Sequence, residues 1–412
     1  MVSFSIVYPT HHRPQFIERA LLFLSRQTYK DFEVVISDNF TDPALSCKEI
    51  CERAAETWKL NIKYNQTESC LNMVENWNRA FSYTEGEYIL YLTDKMFLLP
   101  DTLERTHHCV SEMSPDIVNW IDNSYSPIKF PNYFGTGIYH QKTSSVSSGE
   151  KYKPFNCKEE LSKKGLARCS RSEQDPPHYT RGKICFGAYK AALCHKIIKH
   201  SGALFHAIAP DYTSMVLALS LVESAMELSD PGIVHIRTDL SNGGNVARND
   251  KHALAFLKSF NNDQIFEELL VPKAYRSANN MVARDYLAIK GRCNLTFEFK
   301  KRNWLVYIWE DLVREPDGWS DSHIKEEQLK LLKDKIFSLT WFDRYIIYLS
   351  IIHRDLKRNI KPIIKKTEVA RFFMRATKIF HKDVSSRKRM YFRTIDGVLN
   401  NHTTHFITKQ SR

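Results

Sequence analysis

No run of about 20 uninterrupted apolar residues, the length a helix needs to cross a bilayer, occurs in the 412-residue chain. Met1–Thr10 carries no charged leader before its short apolar run. Neither a spanning helix nor a secretory signal is therefore expected, and the chain reads as cytoplasmic. The nine cysteines form no C-x-x-C pair. Cys47 and Cys51 would share a helix face, but no second Cys or His pair completes a zinc site. They read as small buried hydrophobes in a reducing compartment. Excess charge is missing from most of the chain as well. Residues 341–412 hold 17 Lys+Arg against 5 Asp+Glu, and the remainder holds 42 of each sign. A localised basic segment suits an anionic surface touched by that segment alone.

What the chain has is 43% apolar content, enough for a substantial core and long for one average domain. Phe4–Tyr8 (FSIVY) reads as a buried strand stopped by Pro9, which lacks a ladder N–H. Phe16–Arg26 aligns Ile17, Ala20, Leu21 and Leu24 on one helix face. Phe32–Ser37 (FEVVIS) is a second strand running into Asp38-Asn39. Ala44–Trp58 and Asn72–Ser82 read as helices, Asn61–Tyr64 and Tyr88–Leu92 as strands. This alternation predicts an α/β fold with a Rossmann-like, mostly parallel sheet flanked by helices. Ligands of such sheets bind beyond the carboxyl ends of the strands. Pro9-Thr10-His11, Asp38-Asn39 and Thr93-Asp94-Lys95 should meet there. Residues 121–180, rich in Ser, Lys, Tyr and Pro, read as an irregular insertion over the crevice. Helical pattern returns at Gly187–His200 and Tyr212–Glu227, a strand at Gly232–Arg237, and mainly helix beyond about 250. We expect three parts: 1–245, a helical accessory region at 246–340, and a basic amphipathic helical tail at 341–412.

Phe4–Asp42 contains P-T-H-H-R-P, then Q-T-Y-K-D-F-E, then D-N-F-T-D. Asn76-Trp77-Asn78 and Ala80 follow, then Glu85-Gly86-Glu87-Tyr88-Ile89, then Leu92–Leu103 (LTDKMFLLPDTL). In this order and spacing the pieces resemble the family 2 glycosyltransferases of the GT-A fold, over roughly residues 3–245. The resemblance implies transfer of a sugar from a nucleotide-sugar, with UDP as the expected nucleotide. The acceptor would be a hydroxyl of a saccharide or lipid-linked molecule, in polysaccharide or glycoconjugate synthesis, with inversion expected.

The residues suit that chemistry. A carboxylate after a buried strand, Asp38, can accept from a base N–H and a hydroxyl, with Asn39 beside it. Pro9, Thr10 and His11 can shape a turn along the base, and Arg13 can balance phosphate charge. As a bland reading, Asp38 is a turn former. The resemblance implies two or three carboxylates near 93–96 for ribose and a divalent cation, but this chain reads Thr93-Asp94-Lys95-Met96. Mg²⁺ or Mn²⁺ on Asp94, or the Lys95 ammonium in place of the ion, both stay open. Asp211, in Ala209-Pro210-Asp211-Tyr212, sits where similar transferases carry the general base; it is equally a candidate helix N-cap. Gly182–Tyr189 (GKICFGAY) matches the family's acceptor-side turn, and Ser241–Asn245 could form a loop near the diphosphate. His11 and His12 would point apart on extended backbone, so shared metal ligation is not expected.

Two rivals remain in view. A non-catalytic sugar-nucleotide-binding or scaffolding subunit of a membrane glycan assembly is favoured by the altered acidic motif. A nucleotidyltransferase normally opens with a Gly-rich phosphate loop, and Tyr8–Pro14 contains no glycine. In the tail, Trp341, Phe342, Tyr345, Ile346, Tyr348, Leu349 and Ile352 make an apolar stripe followed by Lys357, Arg358, Lys361, Lys365, Lys366, Arg371 and Arg375. That pattern fits an interfacial helix on the anionic inner face of the plasma membrane, or a helical domain with a solvated basic face. No nucleic-acid-binding motif accompanies the charge, and no nucleic-acid partner is expected.

Overall fold

The computed structural model describes residues 3–39, 42–142, 150–167, 180–240, 246, 250–313, 322–366 and 387–401. Its strands are β1 Phe4–Thr10, β2 Phe32–Asp38, β3 Ile62–Gln66, β4 Tyr88–Tyr91, β5 Met96–Leu98, β6 Ile117–Asn119, β7 Asp122–Pro127, β8 Gly137–Lys142, β9 Tyr152–Asn156, β10 Gly187–Lys190, β11 Ser224–Leu228, β12 Ile233–Ile236 and β13 Arg387–Phe392. Its helices are α1 Pro14–Ser25, α2 Lys48–Trp58, α3 Met73–Phe81, α4 Thr102–Met113, α5 Cys157–Gly165, α6 Ala191–Ser201, α7 Pro210–Leu221, α8 Asp250–Lys258, α9 Gln264–Glu267, α10 Ala278–Arg292, α11 Lys301–Val313, α12 Ser322–Phe337 and α13 Trp341–Lys366.

An eight-stranded sheet in the order β3-β2-β1-β4-β10-β6-β11-β9 organises the molecule. Four of its strands, β3, β2, β1 and β4, are mutually parallel. Ile6, Val7, Val34, Val35 and Ile36 are fully buried, as a central strand covered on both faces requires. Full burial of each such side chain contributes about 1.5–3 kcal/mol. β10 enters antiparallel to both β4 and β6 and makes the sheet mixed. Gly187 permits that insertion: a Cβ there would lie 2.1 Å from the Val118 carbonyl oxygen.

Pro9 does not stop β1. The strand runs on to Thr10, in register with β2 as far as Thr10↔Asp38, whereas pairing with β4 ends at Val7↔Tyr91. The face of Pro9 that lacks an N–H thus looks past the end of β4, where no ladder bond is lost. The 121–180 stretch also departs from its reading, because it holds β7, β8, β9 and α5. β7 (DNSYSP) alternates buried and half-buried positions in a second sheet, β13-β8-β7-β12-β5. Its polar outer face disguised it as loop.

The tail is not wholly helical. β13 (RKRMYF) pairs antiparallel with β8 from Arg387↔Lys142 to Phe392↔Gly137. Beyond it, Ile395 and Val398 are buried and Asp396 meets Arg19 at 2.6 Å. One contiguous apolar cluster runs from Phe4 through α10, α11 and α12 to Leu399. Eight cysteines among the described residues are free thiols; seven are buried and Cys70 is exposed. Among the described residues no helix is long and apolar enough to cross a membrane.

Candidate functional site

The carboxyl ends of β1, β2 and β4 lie side by side because those strands are parallel and adjacent. The Asn39 N–H donates to the Thr10 carbonyl (2.9 Å), tying the first two ends together. Asn39 then grips the chain ahead of α3: Nδ2 donates to the Leu71 carbonyl (2.7 Å) and Oδ1 accepts from the Leu71 N–H (2.8 Å). Asp38 is buried, and its Oδ2 accepts from the Cys47 N–H (2.8 Å) and the Tyr64 hydroxyl (2.9 Å). These bonds tie Asp38 to the start of α2 and to β3 and hold its carboxylate at the edge.

Between β4 and β5 a tight turn carries Thr93, Asp94 and Lys95, closed by the Met96 N–H donating to the Thr93 carbonyl (2.8 Å). Arg13 stands at the position just before α1 and turns its guanidinium onto Asp94. Nη1 lies 2.9 Å from Oδ2 and 3.1 Å from Oδ1, while Nη2 donates to the Leu240 carbonyl (2.8 Å). The cation expected for phosphate and the carboxylate expected for ribose are therefore partners. Burial, and then Asp94, push the Tyr8 hydroxyl well above its ordinary range; its OH donates to the Met96 carbonyl (3.2 Å). Burial raises the Cys47 thiol too, followed by Asp38 and, more weakly, Asp94, so both carboxylates are felt at one point.

His11 and His12 do not point apart. His12 has φ 57°, a left-handed conformation rather than extended backbone, and the two rings lie 4.2 Å apart. Burial and then the neighbouring His12 lower the His11 pKa. Thr10 Oγ1, His12 Nε2 and Thr93 Oγ1 are buried without a hydrogen-bond partner within the protein. Buried polar atoms are normally paired, and these three belong to the turns that close β1 and β4. They leave this edge ready for a polar ligand.

The other wall comes from β10. Its antiparallel register sets its start beside the end of β4, and the 3₁₀ turn Ile184–Phe186 precedes it there. Lys183, buried just ahead of that turn, places Nζ 3.4 Å from Asp211 Oδ2 and 3.5 Å from the centre of the Tyr212 ring. Asp211 is not the N-cap of α7. That position is Ala209, with Pro210 at the first helical position, so the capping explanation for Asp211 is removed. The loop before α7 is anchored to the same edge by the N-W-N stretch. Asn78 Nδ2 donates to the Phe205 carbonyl (2.9 Å), Asn78 Oδ1 accepts from the Phe205 N–H (3.1 Å), and Trp77 and Tyr91 pack their rings on Phe205 at 5.1 and 4.7 Å. Sequence reasoning missed Lys183, whose only signal was a lone lysine in an apolar turn. The Ser241–Asn245 loop lies outside the described residues.

A divalent cation needs hard oxygen donors and usually keeps one or two protein carboxylates. Asp94 is the single acid in its turn, a guanidinium occupies both its oxygens, and Lys95 adjoins it. Among the described residues no group of three His, Cys, Asp or Glu could hold a metal ion. The donor set does not fit such an ion.

The family model described as Glycosyl transferase family 2 matches residues 5–118. Poly(ribitol-phosphate) beta-N-acetylglucosaminyltransferase TarS of Staphylococcus aureus is 29% identical over 122 residues, which cover 29% of this chain and 20% of TarS. A GalNAc(5)-diNAcBac-PP-undecaprenol beta-1,3-glucosyltransferase of Campylobacter jejuni is 28% identical over 106 residues, 25% of this chain and 33% of that protein. The chain thus matches a third or less of the length of these curated relatives. A crystal structure of S. aureus TarS 1-349 with UDP-GlcNAc aligns over 85% of this chain and 88% of that one, at 15% identity and a TM-score of 0.45. The match over residues 5–118 runs from β1 into β6 and takes in the turns that close β1, β2 and β4, and over that stretch the chain is similar to glycosyltransferase family 2.

Proposed function

We propose that the chain transfers a sugar from a UDP-sugar to a hydroxyl of a saccharide or lipid-linked acceptor, with inversion. The reading is carried by the three strand ends that share one edge, with unpartnered polar atoms on their turns. The family match over that segment and the printed activities of its two relatives support the donor and acceptor classes. Residues 1–245 would form the catalytic unit, 246–340 its helical support and 341–412 a basic tail.

In this scheme Pro9, Thr10, His11, Asp38 and Asn39 hold the nucleoside, and Asp94 the ribose. Asp211 takes the acceptor proton as the acceptor oxygen attacks the anomeric carbon. The bond from that carbon to the UDP oxygen breaks, and the electron pair leaves with UDP. Arg13 and Lys95 balance the diphosphate in place of a divalent ion. The altered acidic turn also keeps alive a sugar-nucleotide-binding subunit without turnover, which would bind a donor and never release UDP.

A thermal-shift screen against nucleoside diphosphates and their sugar conjugates tests the reading. A UDP compound at a hundred times its dissociation constant should stabilise the full chain by about 2.7 kcal/mol. A flat response to every nucleotide would sink it.

We further propose a peripheral site on the anionic inner face of the membrane, through α13. Trp341, Phe342, Tyr345, Leu349, Ile352 and Leu356 lie exposed along one side of this helix. Ile347 and Arg354 turn inward, where Arg354 meets Glu310 of α11 at 2.9 Å. The basic residues of the tail follow the stripe in sequence. Cutting the chain at 338 would also remove β13 and its core contacts, so substitution is the cleaner probe. Trp341→Ser with Phe342→Ser in the full chain should lower binding to phosphatidylserine vesicles about tenfold or more, with unchanged melting. Equal flotation of variant and native chain ends this proposal.

A further inference from the structure

Asp285 stands on α10, 74 residues after Asp211, and its carboxylate is completely buried. It is spent on the loop that leads into α7. Both oxygens accept from the Ile208 N–H (2.7 and 2.8 Å), and Oδ2 also accepts from the Ala209 N–H (2.7 Å). The neighbouring Arg284 takes the opposite polarity: Nη1 donates to the Ala207 carbonyl (2.9 Å) and contacts Asp285 at 3.3 Å. Arg284 is itself held by Glu268, whose Oε2 accepts from Nε (2.9 Å). Three consecutive residues are thus gripped through their backbone alone.

A carboxylate without solvent is costly to keep. Burial pushes the Asp285 carboxyl up to about 7, outweighing the two N–H donors and the guanidinium that favour its charge. Packing alone would be served better by an apolar side chain of similar volume. The gripped residues end at Ala209, the N-cap of α7, two positions before Asp211. The direction of the first helical turn, and with it the meeting of Asp211 and Lys183 at 3.4 Å, follows from where 207–209 are pinned.

We infer that Arg284 and Asp285 are positioning residues for Asp211, so that α10 sets the aim of the proposed base without touching substrate. The inference rests on the role proposed for Asp211. It makes the C-terminal helices part of the acceptor wall rather than an appendage.

The test uses the full chain, with UDP release from a panel of UDP-sugars and amide hydrogen exchange as separate readouts. Asp285→Asn keeps the shape but offers only one acceptor oxygen. It should lower kcat about 30-fold while donor KM stays within about twofold, because misplacement of a reacting group by about 1 Å can cost a hundredfold. Exchange at Ile208 and Ala209 should rise, with β1 and β2 unchanged. Ile289→Ala, one turn along the same helix and buried, is the comparison; it should lower melting yet keep kcat. If Asp285→Asn fails to fold, Arg284→Gln releases the Ala207 carbonyl, leaves the carboxylate in place, and should show the same split. Unchanged kcat and exchange in the clamp variants, or an equal kcat loss in Ile289→Ala, overturns the inference. A native chain that turns over none of the panel counts against the transferase reading, and exchange at 208 and 209 then decides the clamp alone.

Discussion

Asp211→Asn is expected to reduce UDP release in the presence of acceptor by about a thousandfold, in the middle of the range for a lost general base. The substitution keeps volume and removes the ability to take a proton. Donor affinity should hold, because the proposed nucleoside contacts belong to the turns after β1 and β2. The fold should hold as well, since α7 is capped at Ala209 and not at Asp211. The weak point is Lys183, which would lose an anionic partner while almost fully buried. An amide oxygen can still accept from its ammonium, and the Tyr212 face lies 3.5 Å from it. A melting shift of only a few degrees is expected. Paired measurement of UDP affinity and turnover separates these effects. Residual turnover above about a hundredth of native would take the base role from Asp211, because a lost base should cost at least about a hundredfold.

The part of the site that was legible in the sequence is the part built from neighbours in sequence. β1, β2 and β4 announce themselves as apolar runs because both faces of those strands are covered, and each one's polar residues follow directly at its carboxyl end. The convergence of Thr10, Asp38 and Asp94 then needs only the rule that parallel strands share an edge. What stayed hidden depends on contacts between distant segments. Nothing local in MVARDYLAIK marks Asp285 as a buried acceptor, since Arg-Asp on a helix reads as a solvated pair. The charge count of the tail obscured β13, whose partner β8 is some 250 residues away in the chain. His11 and His12 were misread for a different reason: one left-handed residue reverses the alternation on which the expectation relied. The irregular look of 121–180 had the same root as the loss of β13, because half-exposed strands of a second sheet carry no long apolar run.

The sharpest consequence of the Thr93-Asp94-Lys95-Met96 turn concerns charge at the proposed diphosphate position. Asp94 is the single carboxylate of the 93–96 turn, and Arg13 occupies both its oxygens at 2.9 and 3.1 Å. A divalent ion would have to evict the Arg13 guanidinium from the one acid of this turn. A diphosphate bound as proposed would meet the opposite situation, since the Arg13 guanidinium is already held at the strand ends and Lys95 follows Asp94 in the chain. Turnover of the native chain should therefore change by less than about twofold in EDTA. Arg13→Ala should lower kcat/KM by about 30- to 150-fold, equivalent to the roughly 2–3 kcal/mol of a charged hydrogen bond. Free guanidinium ion should restore part of that loss, which a merely destabilised fold would not allow. Complete loss of native activity in EDTA, regained on adding Mn²⁺, would show that Asp94 leaves Arg13 for a metal and that the built-in cations are not sufficient.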